Sequence, residues 1–419
     1  GMSYVIEELQ KFNDIKPGKT FIATFPLSSA GGKSFNLLCL SRGCRIIYTP
    51  YKEFYETIKK YEPDYLHLAP KIIQTMHSMF MEAVKNKGCF FEKCFNAAYK
   101  ISEKILYFER NCLYKGKFLY TETALNAVKN LFDKLIYKQK RNTLLKDDIT
   151  LFIGSAHLAK PLEDFLQIMN ISHVQHYGLT ETTGLDVSNT IESQKRHPYT
   201  TGVPFSKTVL KIVNPETGEP VQAGETGLIM LKGPEILKGY YKNEEASNKA
   251  LTSEHFLNTG DLGYLDKEGY LTVLSRYDDV IVMSNGYNVY TPLLENEMKD
   301  SEYVIQAVIA GHGKPYLTSL IVLNLKEYEK WSRENALSCN TEPNKDEKFK
   351  EFLIEHLNEK IKRKNQHKYY EKIKKVYFLK EEFTAENGML TGTLKLKYRR
   401  IINKYQDIID GLYDEKKNK

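Results

Sequence analysis

The 419 residues include six cysteines but no Cys-x-x-Cys pair. Cys39, Cys44, Cys89, Cys94, Cys112 and Cys339 suit no zinc site by their spacing, so free, reduced thiols are expected. No apolar run is long enough to span a bilayer, and no basic-then-apolar leader opens the chain. There is no internal repeat and no recognised nucleic-acid module, and the lysines are interspersed with glutamates. These absences lead to the expectation of a cytoplasmic chain with no nucleic-acid partner. Gly32-Lys33-Ser34 does not complete a Walker loop, because Leu27 stands where that motif needs its first glycine.

What is present is a globular composition, 42% hydrophobic and 27% charged, which excludes general disorder. A chain of this length exceeds one ordinary core and implies two or three domains. The net charge of +7 is mild and suits anionic small substrates or a loose touch on anionic lipid.

Thr20 to Pro26, Gly43 to Tyr48, Pro63 to Leu68, Ile149 to Ile153 and Val174 to Tyr177 have the apolar, β-branched texture of buried strands. From Lys71 to about Lys140 the apolar spacing is helical, with Phe90, Phe91, Phe95, Tyr99, Ile105 and Phe108 lining its faces as a packed layer. Asn214 to Gly218, Ala223 to Glu225 and Lys267 to Gly269 punctuate short β-rich pieces. Lys345 to Lys375 is lysine-rich and reads as a solvated helix face, with a final helix after Arg399. The expected architecture is α/β. Residues 1–207 form an α/β subdomain with a helical insertion at about 71–142, residues 208–276 a β-rich subdomain, and residues 277–419 a C-terminal α+β domain.

Several short motifs follow in order. They are Gly154-Ser155-Ala156, then His176-Tyr177-Gly178-Leu179-Thr180-Glu181-Thr182-Thr183, then Thr259-Gly260-Asp261, Arg276-Tyr277-Asp278-Asp279, Ser284-Asn285-Gly286, and Leu390-Thr391-Gly392-Thr393-Leu394-Lys395-Leu396-Lys397. Each alone has a plain structural alternative. Tyr177 can fill a core while Glu181 faces water. Gly154-Ser155-Ala156 and Thr259-Gly260-Asp261 can be ordinary turns, Arg276 can pair with Asp278 or Asp279, and Lys395 can be one lysine in a basic tail, with Lys397 as its rival.

Their order and spacing resemble the adenylate-forming superfamily of acyl-CoA synthetases, luciferases and peptide-synthetase adenylation domains, and in detail the long-chain fatty acyl-CoA synthetases. The resemblance runs from about Phe25-Pro26-Leu27-Ser28 to Leu412-Tyr413. It implies a fatty acid–CoA ligase that makes an acyl-adenylate from ATP, with ATP/AMP, Mg2+ and coenzyme A bound. Glu181 would hold Mg2+, Thr180 would meet the α-phosphate, and Lys395 would neutralise charge in the adenylation transition state. Gly154, Ser155, Ala156, Tyr177 and Gly178 would wall the adenine. Asp261 would accept the ribose hydroxyls and Arg276 would reach ribose or phosphate oxygen. Asp278 would be the hinge on which a mobile C-terminal domain, residues 277–419, swings, and Ser284 and Gly286 would approach the pantetheine of CoA.

The chain also departs from the pattern. His157 and Gly392 replace usual prolines, Ser29 stands where an aromatic or histidine is usual, and Asn285 replaces a first glycine. A Ser/Thr/Gly-rich phosphate loop and the subdomain before it are missing from these residues, and Gly1 ahead of Met2 reads as a tag remnant. The alternative reading is therefore an adenylate-binding pseudoenzyme or fragment completed by a separate N-terminal half. Fatty acid and CoA are the expected small partners. A homo-oligomer, a membrane surface and a protein thiol acceptor stay open.

Overall fold

The computed structural model describes residues 1–50, 53–113, 127–137, 145–156, 158–335, 342–364, 368–391 and 395–414. They form two compact units, Gly1–Thr259 with Gly263–Val273, and Gly260–Leu262 with Leu274–Lys419. The fold is mixed α/β.

The first unit is built on β1 (Thr20–Ala23), β2 (Arg45–Tyr48), β3 (Tyr65–Leu68), β4 (Thr150–Ile153), β5 (Ser172–Tyr177), β6 (Val187–Ser188) and β7 (Val203–Pro204), in sheet order β2-β1-β3-β4-β5-β6-β7. β1 to β5 pair in parallel, while β6 and β7 run antiparallel. Parallel strands need both faces covered, and the side chains divide accordingly. Ile22, Leu66, Leu68, Leu151 and Ile153 pack with helices Pro70–Lys85 and Cys89–Leu113. Phe21, Ala23, Tyr65, Phe152 and Val174 pack with Met2–Asn13 and Ala30–Ser41. The order β2-β1-β3 reverses direction at β1, which opens a crevice at the carboxyl ends of β1 and β3, where α/β sheets take ligands.

Two expectations need correction here. β2 is not a buried strand, since it forms the sheet edge and its ends are exposed. Within the helical layer Phe95 and Ile105 are buried, whereas Phe90 and Phe108 lie on the outer face and are exposed. A second sheet of β8 (Val209–Val213), β9 (Gly227–Lys232), β10 (Leu257–Leu265) and β11 (Leu271–Arg276) has the order β11-β10-β9-β8.

The second unit holds the two-stranded β12 (Ile281–Val282) and β13 (Asn288–Val289), and a three-stranded sheet of β14 (Val304–Ala310), β15 (Leu317–Leu323) and β16 (Ile373–Leu379). Alternation splits this sheet too. Ala307, Ile309 and Ile321 face helices Thr291–Met298, Leu325–Glu334 and Glu347–Lys364. Val308, Ala310, Leu320 and Val322 face Phe383, Met389, Leu390, Ile401 and Ile409. The lysine-rich segment is not one helix face, because Lys372 precedes β16 and Lys374 and Lys375 lie on it. The start of β16 is tied to the helix Glu347–Lys364 by Asn358, which accepts from Ile373 N at 2.9 Å and donates to Ile373 O at 2.8 Å.

Among the described residues no helix is long and apolar enough to cross a membrane. Cys39, Cys44, Cys89 and Cys94 are free thiols. His157, Cys339 and Gly392 lie outside the described residues, as does the side chain of Cys112.

Candidate active site

The expected site residues fall into two groups, one within each unit. In the first unit they stand at the carboxyl ends of β4 and β5. β4 ends at Ile153, and the chain leaves it through Gly154 and Ser155, a non-glycine residue at φ 74°. Such a left-handed position is strained for a side chain and is common at ligand loops. Gly154 is buried, while Ala156 is exposed.

Tyr177 ends β5. It is 9% exposed and packs with Val187, Ile212, Ile229, Leu231 and Leu271, so most of its ring is core. Gly178 is required by packing, since a Cβ there would stand 2.5 Å from Leu185 Cα and 2.7 Å from the Gly184 carbonyl carbon. The next residues, Thr180–Thr182, form a single 3-10 turn. Thr182 Oγ1 accepts from Leu179 N at 2.9 Å and locks that turn. Thr180 is left exposed at its start. Glu181 is pinned by its carbonyl, which accepts from Leu237 N at 2.7 Å, and by Oε1, which accepts from the Tyr240 hydroxyl at 2.8 Å. Its Oε2 has no partner among the described residues. No cluster of three or more metal-ligating side chains occurs among the described residues. One pinned carboxylate with a free oxygen fits Mg2+, which uses one or two carboxylates and completes its shell with water and substrate phosphates.

In the second unit, Gly260 adopts φ 68° and lets Arg276 pass close by, its Nη2 lying 3.3 Å from where a Cβ would stand. Arg276 Nη1 donates to Asp261 Oδ1 at 3.1 Å. Asp261 is buried and Arg276 half exposed, so the pair presents a guanidinium edge outward from an anchored carboxylate. Lys395 joins them from residues far along the chain. Its loop closes on itself, with Thr391 N donating to Lys395 O at 2.8 Å and Lys395 N to Thr391 Oγ1 at 3.0 Å. Met389 and Leu390 anchor the loop in the core. The Lys395 side chain reaches solvent, yet crowding disfavours its ammonium, Asp261 opposes that and Arg276 adds to it, leaving its pKa below the ordinary lysine value.

Asp278 accepts from Arg399 at 2.8 Å on the surface, an exposed pair of the kind that adds about 0–1 kcal/mol. Ser284 and Gly286 lie in the exposed turn between β12 and β13, closed by Gly286 N donating to Met283 O at 2.9 Å. Gly286 takes φ 83° there. Sequence reasoning missed Tyr240, the clamp on Glu181. It also missed the buried His67 and His176, whose signal was a polar residue at an inward-facing strand position.

Residues 2–241 match the family described as AMP-binding enzyme, and residues 278–417 match the AMP-binding enzyme C-terminal domain. The chain belongs to the AMP-binding enzyme family. Among curated relatives of this AMP-binding enzyme, a chloroplastic long-chain-fatty-acid–[acyl-carrier-protein] ligase of Arabidopsis thaliana is 25% identical over 97% of the chain. A long-chain-fatty-acid–CoA ligase of Mycobacterium tuberculosis is 24% identical over 96% of it. The chain spans 58% and 63% of their respective lengths. In structure it resembles the o-succinylbenzoate CoA synthetase of Bacillus subtilis in complex with its acyl-adenylate intermediate. That match has TM-score 0.64 at 18% identity, over 96% of this chain and 64% of the other. It also resembles the adenylation domain of a Mycobacterium chelonae carboxylate reductase, with TM-score 0.71 at 18% identity, over 94% and 54%. At these identities the structures establish the adenylate-forming fold alone.

Proposed function

We propose that this chain is an AMP-forming ligase that activates a fatty acid as its acyl-adenylate and passes the acyl group to a thiol. The observation that carries the reading is the grouping of Lys395 with the Asp261–Arg276 pair in the second unit. Asp261 is a buried residue of β10 and Lys395 lies on an exposed loop, and together their opposite charges suit a ribose and an adjoining phosphate.

The first half-reaction brings a carboxylate oxygen against the α-phosphorus of ATP, and pyrophosphate leaves. In the second, a thiolate attacks the acyl carbonyl and AMP leaves. Asp261 would accept ribose hydroxyls, Arg276 would donate to ribose or phosphate oxygen, and the Lys395 ammonium would balance charge shared by the carboxylate and α-phosphate. Thr180 would donate to the α-phosphate. Gly154, Ser155, Ala156 and Gly178, with the exposed edge of Tyr177, would wall the adenine. Glu181 Oε2 would hold Mg2+, which when bound offsets phosphate charge. Ser284 and Gly286 would lie along the pantetheine of coenzyme A, and Asp278 would be the hinge on which residues 277–419 turn. Long-chain fatty acids and both CoA and carrier-protein acceptors are named among the relatives, which favours a long acyl chain.

The test is acyl-CoA and AMP formation from palmitate, ATP, Mg2+ and CoA by the chain and by Lys395→Ala, beside calorimetric binding of AMP. Turnover that disappears in the variant while AMP affinity stays within about threefold is expected. Turnover unaffected by Lys395→Ala refutes the assignment of Lys395. Failure of the chain to bind AMP refutes the nucleotide reading itself.

A further inference from the structure

The inward-facing positions on one side of the parallel sheet should be apolar, because that face is covered by helices. Register along β3, β4 and β5 puts His67 beside Phe152, and His176 two residues beyond Val174 on the same face. Two imidazoles thus stand at the carboxyl end of the sheet, next to the β1–β3 crevice, where aliphatic residues would pack more simply. Departures from a local rule of this kind concentrate at functional sites.

The two rings sit in an aromatic nest. His67 lies 4.3 Å from Phe25 and 4.3 Å from Phe35, ring centre to ring centre, and His176 lies 5.3 Å from Phe35 and 5.8 Å from Phe152. Burial pushes the pKa of both well down, so each is neutral near pH 7. The hydrogen bonds then assign the tautomers. Ser188 Oγ gives its only hydrogen to Asn189 O at 2.7 Å, so it accepts from His176 Nδ1 at 2.9 Å. His176 Nε2 is left as a bare acceptor with no partner among the described residues. His67 Nδ1 is enclosed and has no partner there either. A bare lone pair is the less costly atom to bury in that position, which puts the His67 proton on Nε2. Nε2 lies toward Gly154, 3.6 Å from where a Cβ would stand on it, and the ring's Cε1 lies 3.8 Å from the same point on Gly31. Two glycines therefore face one imidazole edge of His67, whose side chain is 4% exposed, so only backbone and no side chain of theirs stands against that edge, beside the turn assigned above to the adenine wall.

We propose that His67 is the polar contact of the acid-binding subsite, its Nε2–H donating to an oxygen of the bound acid or acyl-adenylate, with His176 and the phenylalanines holding the ring in place. The inference rests on the adenylate-forming reading and adds to it a residue that recognises the acyl end of the ligand.

The experiment is calorimetric binding of a non-hydrolysable palmitoyl-sulfamoyl adenosine, and separately of AMP, to the unaltered chain, His67→Phe and His67→Gln. Phenylalanine preserves the packing and removes an unpaired buried nitrogen, so a melting temperature equal to or above that of the parent is expected. His67→Phe should weaken the acyl-adenylate analogue about tenfold, the order expected for one hydrogen bond, and leave AMP within about twofold. His67→Gln, which keeps a donor, should recover part of the loss. Equal affinity for the analogue in His67→Phe overturns the proposal, and so does a matching loss of AMP affinity. If the unaltered chain binds neither ligand, the adenylate reading falls and this assignment falls with it.

Discussion

Gly178 and Gly154 close consecutive strands of one sheet, yet a methyl group should affect them in opposite ways. At Gly178 the new Cβ would meet only backbone, with Leu185 Cα at 2.5 Å and the Gly184 carbonyl carbon at 2.7 Å. Ordinary contact begins near 3.4 Å, so the loop from 178 to 185 must retreat by about 1 Å. Overpacking of this kind costs about 1–3 kcal/mol, and the entropy removed from the unfolded chain returns about 0.4–1 kcal/mol. Gly178→Ala should therefore lose about 1–2 kcal/mol in urea unfolding. It should also weaken Mg2+–nucleotide binding, because the displaced loop carries Thr180 and Glu181. At Gly154 the nearest atoms, His67 Nε2 at 3.6 Å and His176 O at 3.8 Å, are at normal contact. Gly154→Ala should match or exceed the parent in stability by about 0.4–1 kcal/mol. It should nevertheless lose affinity for the acyl-adenylate analogue, since the methyl covers the imidazole edge and thickens the proposed adenine wall. A Gly178→Ala chain as stable as the parent would refute the packing argument. A Gly154→Ala chain that binds the analogue normally would refute the placement of the ligand at that turn.

Two further expectations concern pH. His176 has a folded pKa pushed down to about 3 from 6.5, so below pH 6.5 the unfolded chain takes up a proton that the folded chain refuses. Stability is thus complete above pH 6.5 and falls by about 1.4 kcal/mol per unit below it, with His67 contributing in the same direction. Urea titrations at pH 6.5 and 5 should show His176→Gln with about half of the parent's drop, and an unchanged drop would contradict the assignment. Glu295 behaves with the opposite sign, because burial raises it from 4.5 to about 7 although Ile309 N donates to it at 2.8 Å. Its contribution is complete below pH 4.5 and is lost as pH rises to 7, by up to about 3 kcal/mol. The only tryptophan, Trp331, is packed in the second unit 5.0 Å from Phe349, so its fluorescence reads that unit's unfolding directly. Glu295→Gln should flatten the pH dependence of that signal.

The parallel strands were legible because a strand buried on both faces is a short apolar run, and Thr150 to Ile153 is one. β2 has the same texture but is exposed, because composition does not say which strand ends a sheet. The lysine-rich segment misled for a related reason. Phe349, Leu353, Leu357 and Ile361 give Glu347–Lys364 a helical stripe, and only the pairing of Lys375 with Thr318 reveals that the chain has become a strand beyond it. For the site, the motifs named its residues, but their neighbours were out of reach. The clamp of Tyr240 on Glu181 crosses 59 positions, and nothing local marks Tyr240 as different from the adjacent, more exposed Tyr241.

The glycines add a last argument about how such a site is held together. Gly184 adopts φ 104°, and a Cβ on it would stand 2.5 Å from Gly31 N, while Gly178 is pressed against Gly184 in turn. The first turn of the helix Ala30–Ser41, the end of β5 and the loop after it therefore meet through backbone atoms, with almost no side chain between them. Backbone contact has little rotamer freedom, so these segments cannot adjust independently. The loop carrying Thr180 and Glu181 stands at the same carboxyl end of the parallel strands as His67, and a ligand reaching from one to the other would be measured against a rigid frame.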